Sequence, residues 1–378
     1  MRIDIFCRVI DNFGDAGFTW RLAQRLSQAP LENHFTMPSR DLYRVFCDQP
    51  EIIYQLAGTK ALERAHHNNL QILPWSSAAH LMSLDEFPDV ILETFSCGLP
   101  EIYQQQQLQN RNRDQLPLLI NIEYLSAEAW TNSHHGLRSL SASAQDISRY
   151  FYFPGLTPQS GGVLAGFEAK LTHPPDTLKP FWEQIQHPAT QKISIFNYAG
   201  DTLAPFLSQL QTLQKPITCF ICAGLPTIGT RDWLEISEFC SPQQRDYLQL
   251  IPIPFIPQED YDWLLLACDL NWVRGEDSFV RAQFAGKPFI WDIYPQTELV
   301  HQKKMAAFLD IYWQNSPKEL QTLGRLAMQN GPVSAWWNSL DRLKEHTIAW
   351  QSVLQKNFQK DDLADRLRTF MNQKLKQS

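Results

Sequence analysis

The chain has 378 residues, of which 44% are hydrophobic and 19% are charged, so it has the composition of a folded protein rather than a disordered one. The net charge of −7 argues against general nucleic-acid binding. A chain of this length accommodates two domains of ordinary size, each with its own core.

The lack of a recognisable targeting signal and the number of cysteines predict a cytoplasmic protein. No apolar run approaches the roughly 20 residues of a membrane span, and the N-terminus has no signal-peptide pattern. The chain has seven cysteines, an odd number that is typical of reduced thiols. Cys219 and Cys222 have CxxC spacing, but they fall in a strand-like run where positions three apart point to opposite faces. We therefore expect neither a metal site nor a membrane anchor.

Strand and helix patterns alternate through the first half of the chain. A strand is predicted at 3–10 and an amphipathic helix at 18–26, followed by a further helix at 101–110. The other predicted strands of this half are 43–47, 70–73, 90–94, 118–122 and 150–153. Such alternation predicts an α/β domain with a parallel sheet.

A proline-rich stretch at 172–180 interrupts this alternation and is the predicted domain boundary. The pattern then restarts with strands at 192–196, 217–222, 248–253, 270–273 and 289–291. The predicted organisation is a first domain at 1–170, a linker at 171–190, a second domain at 191–340 and C-terminal helices at 341–378. Two such domains usually hold a ligand in the cleft between them.

The turn after strand 270–273 carries a concentration of polar side chains. Its residues are Arg274, Gly275, Glu276, Asp277 and Ser278, and a helix is predicted to begin at 279 and to end at 286. A helix N-terminus at the carboxyl end of a parallel strand suits a phosphate, and the arginine adds a two-pronged cation. The carboxylate of Glu276 or of Asp277 is a candidate to bind a ribose or sugar hydroxyl. The alternative is that Asp277 or Ser278 simply caps the helix.

Three other side chains of the second half complete a candidate nucleotide site. Tyr198 and Phe255 lie near strand ends and are candidates to sandwich a base, while Gln258 is a candidate to read its edge. Aromatic residues at strand ends are often core residues instead. Gln258 equally fits an ordinary helix start after Pro257.

The turn after the first strand contains two aspartates four residues apart, Asp11 and Asp15, with glycines at 14 and 17. A catalytic carboxylate at this position would face a ligand beyond the end of the strand. The alternatives are an Asx turn for Asp11 and a helix N-cap for Asp15. The GxGxxG spacing is absent, so NAD binding has no support.

Four segments, at 9–15, 121–128, 135–137 and 273–283, together resemble the bacterial protein-arginine rhamnosyltransferases, the EarP family, which modify elongation factor P. The resemblance implies a GT-B fold, in which two Rossmann-like domains face each other across a cleft. It also implies an inverting glycosyltransferase without a metal cofactor. The implied donor is dTDP-β-L-rhamnose, and the implied acceptor is one arginine of elongation factor P.

By match to the family's motifs, Asp15 is implied to be the general base, Asp11 a nearby essential aspartate, and Glu276 the second catalytic position. The donor-binding positions implied in the same way are Asn12, Phe13, Gly14, Asp15, Tyr198, Gln258, Arg274, Gly275, Glu276, Asp277 and Ser278. Two alternatives stay open. One is another GT-B nucleotide-sugar enzyme, either an epimerase or a small-molecule glycosyltransferase, and the other is a nucleotide-binding protein with no transfer activity.

Overall fold

A computed structural model describes residues 1–11, 13–28, 41–79, 87–109, 116–139, 147, 149–167, 169–196, 200–222, 247–293 and 300–377. The chain divides into two compact units. Unit 1 comprises residues 1–166 and 354–378, and unit 2 comprises residues 167–353.

Unit 1 is built on a six-stranded parallel sheet with the order β3-β2-β1-β4-β5-β6. Its strands are β1 (Arg2–Cys7), β2 (Leu42–Cys47), β3 (Leu70–Pro74), β4 (Val90–Thr94), β5 (Leu118–Ile122) and β6 (Arg149–Tyr152). The order reverses between β1 and β4, and the carboxyl ends of strands at such a reversal are where open α/β sheets bind ligands. Asp11 and Asp15 follow β1, so the fold places them at this point.

The helices of unit 1 cover the sheet, and aromatic side chains fill the space between. The helices are α1 (Phe13–Ser27), α2 (Pro50–His67), α3 (Glu101–Gln109) and α4 (Ala129–His134), with a 3-10 turn at Trp75–Ala79. Phe6 of β1 stacks on Phe46 of β2 and meets the edge of Tyr103 of α3, and all three are buried. Buried strands of this kind read as continuous apolar runs, which explains why the pattern predicted them well.

Unit 2 is built on a five-stranded parallel sheet with the order β11-β10-β7-β8-β9. Its strands are β7 (Gln191–Ile195), β8 (Ile217–Cys222), β9 (Leu248–Ile253), β10 (Leu270–Val273) and β11 (Phe289–Trp291). The helices of the described residues between 167 and 339 are α5 (Trp182–Gln186), α6 (Gly200–Thr212), α7 (Gln258–Ala267), α8 (Glu276–Ala285), α9 (Val300–Tyr312), α10 (Lys318–Met328) and α11 (Val333–Trp336), with 3-10 turns at Lys179–Phe181 and Trp337–Ser339.

The structure divides the chain differently from the sequence pattern at the predicted linker. The stretch at 171–190 contains Leu178 and Ile185, which are 0% and 6% exposed and belong to the apolar core of unit 2. Trp182 packs against the same core, on Trp263. The prolines interrupt the alternation of strands and helices, but the apolar residues between them anchor the segment to its sheet.

The C-terminal helices α12 (Leu340–Phe358) and α13 (Leu363–Leu375) do not form a segment of their own, because residues up to 353 belong to unit 2 and the rest to unit 1. Asp362 caps α13 and accepts a hydrogen bond from buried Arg25 of α1 at 3.0 Å. Arg368 of α13 donates to the backbone oxygens of Arg25 and Leu26, near the end of α1. These contacts assign the last helix to unit 1.

The described cysteines are all buried free thiols, at positions 7, 47, 97, 219, 222 and 268. Burial raises the pKa of the Cys222 thiol to about 12, so this member of the CxxC pair is protonated at neutral pH. Within the part of the chain that the structure describes, no helix is long and apolar enough to cross a bilayer.

Candidate functional site

The turn between β1 and α1 holds Asp15 inside the first turn of the helix rather than before it. The strand ends at Cys7 and the helix begins at Phe13. One carboxylate oxygen of Asp15 accepts hydrogen bonds from the backbone N–H groups of Ile10 and Asp11, each at 2.8 Å. The strand therefore ends before the predicted position 10, because the N–H of Ile10 bonds this carboxylate instead of a neighbouring strand. The alternative of a helix N-cap is wrong for Asp15, because the residue lies inside the helix.

Close packing of Gly14 against Asp11 shapes the same turn. The backbone N–H of Gly14 donates to the carbonyl oxygen of Asp11 at 2.6 Å. A Cβ at Gly14 would lie 2.8 Å from a carboxylate oxygen of Asp11, closer than real Cβ contacts come. Phe13 beside it is buried, and Asn12 lies outside the described residues. Glycine is therefore needed for the Asp11 side chain to lie over the start of α1.

Burial makes the carboxylate of Asp15 a better proton acceptor than that of an exposed aspartate. The residue is 2% exposed, and burial raises the pKa of its carboxyl above the ordinary range. The N–H groups of Asp11 and Ile10 and the hydroxyl of Tyr124 partly offset this rise in pKa, whereas the charge of Asp48 adds to it. A carboxylate with a raised pKa, held rigidly by three donors, has the properties of a general base.

Aromatic residues from two neighbouring strand ends bring Tyr124 to this carboxylate. Its ring stacks on Phe95 at 4.2 Å, and Phe95 packs against Phe18 of α1 at 5.0 Å. Phe95 and Ser96, directly after β4, both have left-handed backbone with φ of 58° and 53°. Such conformations are rare for residues other than glycine and cluster at functional sites.

A polar network at the end of β5 explains part of the motif at 121–128. Fully buried Asn121 accepts a hydrogen bond from the backbone N–H of Ser96 at 3.0 Å and donates to the Ser96 hydroxyl at 2.8 Å. The same amide donates to the carboxylate of Glu123. Asn121 therefore fixes the left-handed turn after β4 and orients Glu123, a role that the sequence analysis did not assign.

His135, in the third motif, has a local structural role. Its Nδ1 accepts a hydrogen bond from the backbone N–H of Phe153 at 3.1 Å. Burial, reinforced by the charge of Arg366, lowers the pKa of the imidazole. His135 therefore fixes the backbone at Phe153 through its ring nitrogen.

In unit 2, helix α8 begins at Glu276 and its N-cap is Gly275, which has no side chain to occupy the helix N-terminus. The hydroxyl of Ser278 donates to the carbonyl oxygen of Gly275 at 2.9 Å, and the carboxylate of Asp277 accepts a hydrogen bond from Gln258 at 3.1 Å. Neither Asp277 nor Ser278 is the N-cap, so the capping alternative is wrong for both. The predicted end of the helix is confirmed, because Gly286 is a left-handed C-cap with φ 66°.

The structure brings Gln258 together with the charged turn. It is the first residue of α7 and is 7% exposed, and its amide joins the first turns of α7 and α8. Phe255, between β9 and α7, is half-buried, as is Glu276. Tyr198, the other predicted aromatic partner of a base, lies outside the described residues.

Arg274 is held by a carboxylate that the sequence analysis missed. Its Nη1 lies 3.1 Å from an oxygen of Asp292, and its carbonyl oxygen accepts a hydrogen bond from the Trp291 indole at 2.8 Å. Burial raises the pKa of Asp292, and the charge of Arg274 partly offsets that rise. Asp292 directly follows β11, the neighbour of β10, so only the sheet order reveals this pairing.

A cavity of about 460 Å³ lies beside Asp292 in unit 2. It is lined by Trp291, Asp292, Ile293, His301, Gln302, Met305, Met328, Gln329 and Asn330. This lining mixes apolar and hydrogen-bonding side chains, with Asp292 also contacting Arg274.

The predicted site residues thus form two groups, one within each unit. Unit 1 contains Asp11, Phe13, Gly14 and Asp15 around one turn. Unit 2 contains Phe255, Gln258 and the residues from Arg274 to Ser278 at its strand ends. Among the described residues, no group of three histidine, cysteine or carboxylate side chains is arranged to hold a metal.

The chain is similar to known proteins over nearly its whole length. A family model described as elongation factor P (EF-P) rhamnosyltransferase EarP matches residues 3–372. Protein-arginine rhamnosyltransferases from Pseudomonas aeruginosa and Shewanella oneidensis are 35% and 34% identical, covering 97% and 92% of this chain and 98% and 92% of their own.

A solved structure described as the structural basis for EarP-mediated arginine glycosylation of translation elongation factor EF-P has a TM-score of 0.55. It is 22% identical and covers 98% of this chain and 99% of its own. This similarity supports the predicted fold class, GT-B with two Rossmann-like domains, which the two parallel sheets confirm. The chain is therefore a glycosyltransferase and belongs to the EarP family of elongation factor P rhamnosyltransferases.

Proposed function

We propose that this chain transfers rhamnose from dTDP-β-L-rhamnose to an arginine side chain of elongation factor P, with inversion at the sugar carbon. The observation that carries the proposal is the buried carboxylate of Asp15, which has a raised pKa in a chain of this family. Transfer to a guanidinium needs a proton acceptor, which nucleotide binding alone does not.

The acceptor chemistry explains why carboxylates are needed. A guanidinium has a pKa above about 12 and is a poor nucleophile until a proton leaves. As a guanidinium nitrogen forms its bond to C1 of rhamnose, the C1–O bond to dTDP breaks and the proton passes to Asp15. Asp11, which lies over the start of α1, would position the guanidinium through a charge-assisted hydrogen bond.

The donor chemistry would use the turn of unit 2. The departing dTDP gains negative charge on its diphosphate, and Arg274 with the N-terminus of α8 would stabilise that charge. Glu276, at the first position of α8, would hold a sugar or ribose hydroxyl. Gln258 and Phe255 would contact the base. No metal is needed for these steps.

Incubation of the protein with elongation factor P and dTDP-rhamnose, followed by intact and peptide mass analysis, tests the proposal. We expect one rhamnose on one arginine. Sugar transfer only to a small molecule, isomerisation of the nucleotide sugar, or dTDP binding without turnover would each replace this proposal with one of the alternatives.

We also propose that the acceptor is recognised as a folded protein in the cytoplasm, through loops of residues 1–170. Two carboxylates alone cannot select one arginine among many, so selectivity needs a larger contact surface. Cross-linking with elongation factor P should place contacts around the Asp11–Asp15 turn. Equal modification of free arginine or of short unfolded peptides would contradict this part.

A further inference from the structure

Helices α7 and α8 of unit 2 are joined by a buried ion pair whose residues have no role in the chemistry above. The guanidinium of Arg281 meets the carboxylate of Asp262 through two hydrogen bonds, from Nε at 3.0 Å and from Nη2 at 2.7 Å. Arg281 is 0% exposed and Asp262 is 5% exposed. The ring of Phe167 lies against the guanidinium carbon at 4.6 Å.

This ion pair lies one helical turn below the contact between Gln258 and Asp277. Asp262 follows Gln258 by four residues on α7, and Arg281 follows Asp277 by four residues on α8. Residues four apart lie on the same face of a helix, about one turn apart. The two contacts therefore join the same two helix faces one turn apart. Together they fix the rotation of α8 about its axis and its position along α7.

The surroundings of α7 make it a rigid support for such a contact. Trp263 donates its indole N–H to the carbonyl oxygen of Lys170 at 3.1 Å. Fully buried Asn271 of β10 donates to the carbonyl oxygen of Leu265 at 3.0 Å and accepts from Ser194 of β7 at 2.6 Å. Helix α7 is thereby tied to two strands of the sheet, so the ion pair transmits a defined position to α8.

Stability alone is a poor reason for this ion pair. Removing two charges from water is costly, and replacing a buried ion pair by apolar residues of similar volume is often neutral or stabilising. The two-pronged geometry supplies directional control that packed methylene groups lack. What the pair controls is the separation of two helix N-termini that carry Gln258, Asp277 and Ser278.

We propose that Asp262 and Arg281 are positioning residues for the nucleotide site: their buried ion pair holds the N-terminus of α8 in register with α7, so that the diphosphate of dTDP meets correctly spaced donors. The inference rests on the proposed function of that site. It predicts that nucleotide affinity depends on two residues beneath the site that make no contact with the ligand.

The test is an apolar exchange, Asp262→Leu with Arg281→Met, which keeps the volume and removes the two-pronged contact. We expect the melting temperature to be retained, the dissociation constant for dTDP to rise about five- to twentyfold by calorimetry, and the donor KM to rise in parallel. The matched control is a second two-pronged buried ion pair, Asp4 with Arg44 in unit 1, at 2.7 and 2.8 Å. Asp4→Leu with Arg44→Met and Tyr103→Phe should leave dTDP affinity unchanged, since Tyr103 also bonds Asp4.

Arg281→Lys provides a second variant, because it keeps the charge and loses the two-pronged geometry. We expect it to fold and to bind dTDP more weakly than the wild-type protein. Unchanged dTDP affinity in the folded apolar variant or in Arg281→Lys would overturn the inference, and so would unfolding of both. If Arg274→Ala also left dTDP affinity unchanged, the proposed nucleotide site itself would be at fault.

Discussion

The two strand–turn–helix sites of this protein start from similar sequence patterns but hold their carboxylates differently. In unit 1, Asp15 in the first turn of α1 accepts hydrogen bonds from two backbone N–H groups upstream of the helix. In unit 2, the N-cap of α8 is glycine, Ser278 donates its hydroxyl to the backbone, and Asp277 turns to Gln258. The first turn thus builds a carboxylate fixed by the backbone, whereas the second leaves its N-cap without a side chain and holds one of its two first-turn carboxylates on the amide of Gln258.

This difference teaches what each turn is suited to do. A carboxylate that the backbone already holds is rigid and buried, which suits proton transfer but repels an anionic ligand. A glycine-capped helix N-terminus beside an arginine suits a diphosphate. Substitutions that alter one turn should therefore leave the function of the other intact.

The largest expected effect is that of Asp15→Asn. The amide retains an oxygen for the N–H groups of Ile10 and Asp11 but cannot accept a proton, so the transfer rate should fall about 10²–10⁴-fold with unchanged dTDP affinity. Mass analysis of the acceptor measures the rate and calorimetry the affinity. Asp310→Asn, at an exposed ion pair, is the control. Near-normal turnover would mean that Asp15 only stabilises the turn.

The same variant has a stability signature. Burial raises the pKa of Asp15 in the folded state above the unfolded value of about 3.9. The group's stabilising contribution is therefore fully present below pH 3.9 and is lost as the pH rises through the folded pKa. At neutral pH, Asp15→Asn should keep or raise the melting temperature, and a marked fall would show that the charge itself holds the turn.

The next largest effect concerns the anion site. Arg274→Ala removes a cation from the end of β10, and dTDP affinity should fall about 10- to 100-fold, the range expected for hydrogen bonds to a charged group. Arg342→Ala, at an exposed ion pair with Glu319, is the matched control and should bind dTDP normally. Arg274→Ala alone also leaves the charge of Asp292 without its arginine partner. The double variant Arg274→Ala with Asp292→Asn removes that charge, so it measures the loss of the cation by itself. Normal affinity in both Arg274 variants would contradict an anion site at this turn.

A smaller effect is expected from Tyr124→Phe. The hydroxyl of Tyr124 lowers the pKa of Asp15, so its removal should move the acidic limb of the kcat/KM profile to higher pH and reduce the rate about two- to tenfold near neutrality. The other titratable groups facing Asp15 are Asp48 and Cys7, with Asp11 in the same turn, and all are retained.

Tyr103→Phe is the control for that profile, because Tyr103 also donates its hydroxyl to a carboxylate of unit 1, at Asp4 and 2.6 Å. It should leave the acidic limb in place. If the acidic limb does not move in Tyr124→Phe, or moves equally in both variants, Tyr124 does not tune the pKa of Asp15.

The smallest effect is expected from Asp292→Asn. The amide oxygen still accepts from Arg274, while the negative charge beside the diphosphate site disappears. We expect dTDP to bind roughly threefold more tightly at low salt, with the gain shrinking as ionic strength rises. Calorimetry at two salt concentrations measures this, with Asp310→Asn as the control. Weaker binding would show that the charge of Asp292 is needed to hold the guanidinium.

The strands were the most predictable part of the fold. The predicted bounds of β4, β5 and β8–β11 agree with the structure. Most of these strands are buried on both faces and are short apolar runs bounded by polar residues, whereas β9 exposes Gln249 and Pro252. The helix starts were less predictable. Helix α1 begins at Phe13. Its predicted start at 18 was too late, because the glycines at 14 and 17 are typical of a loop. Helix α8 begins three residues before its predicted start, at Glu276.

The sequence by itself determined the alternation of elements, the charged turn from Arg274 to Ser278, and the Asp11 and Asp15 pair, because these signals are local. The tertiary structure decided the partners: Tyr124 for Asp15, Asp292 for Arg274, and Asp262 for Arg281. These pairs lie 109, 18 and 19 residues apart in the numbering and meet only through the strand order and the packing of α7 on α8. Local sequence patterns indicate which residues form turns and helices, whereas burial and contacts between elements decide which charges are paired and which carboxyl groups have a raised pKa.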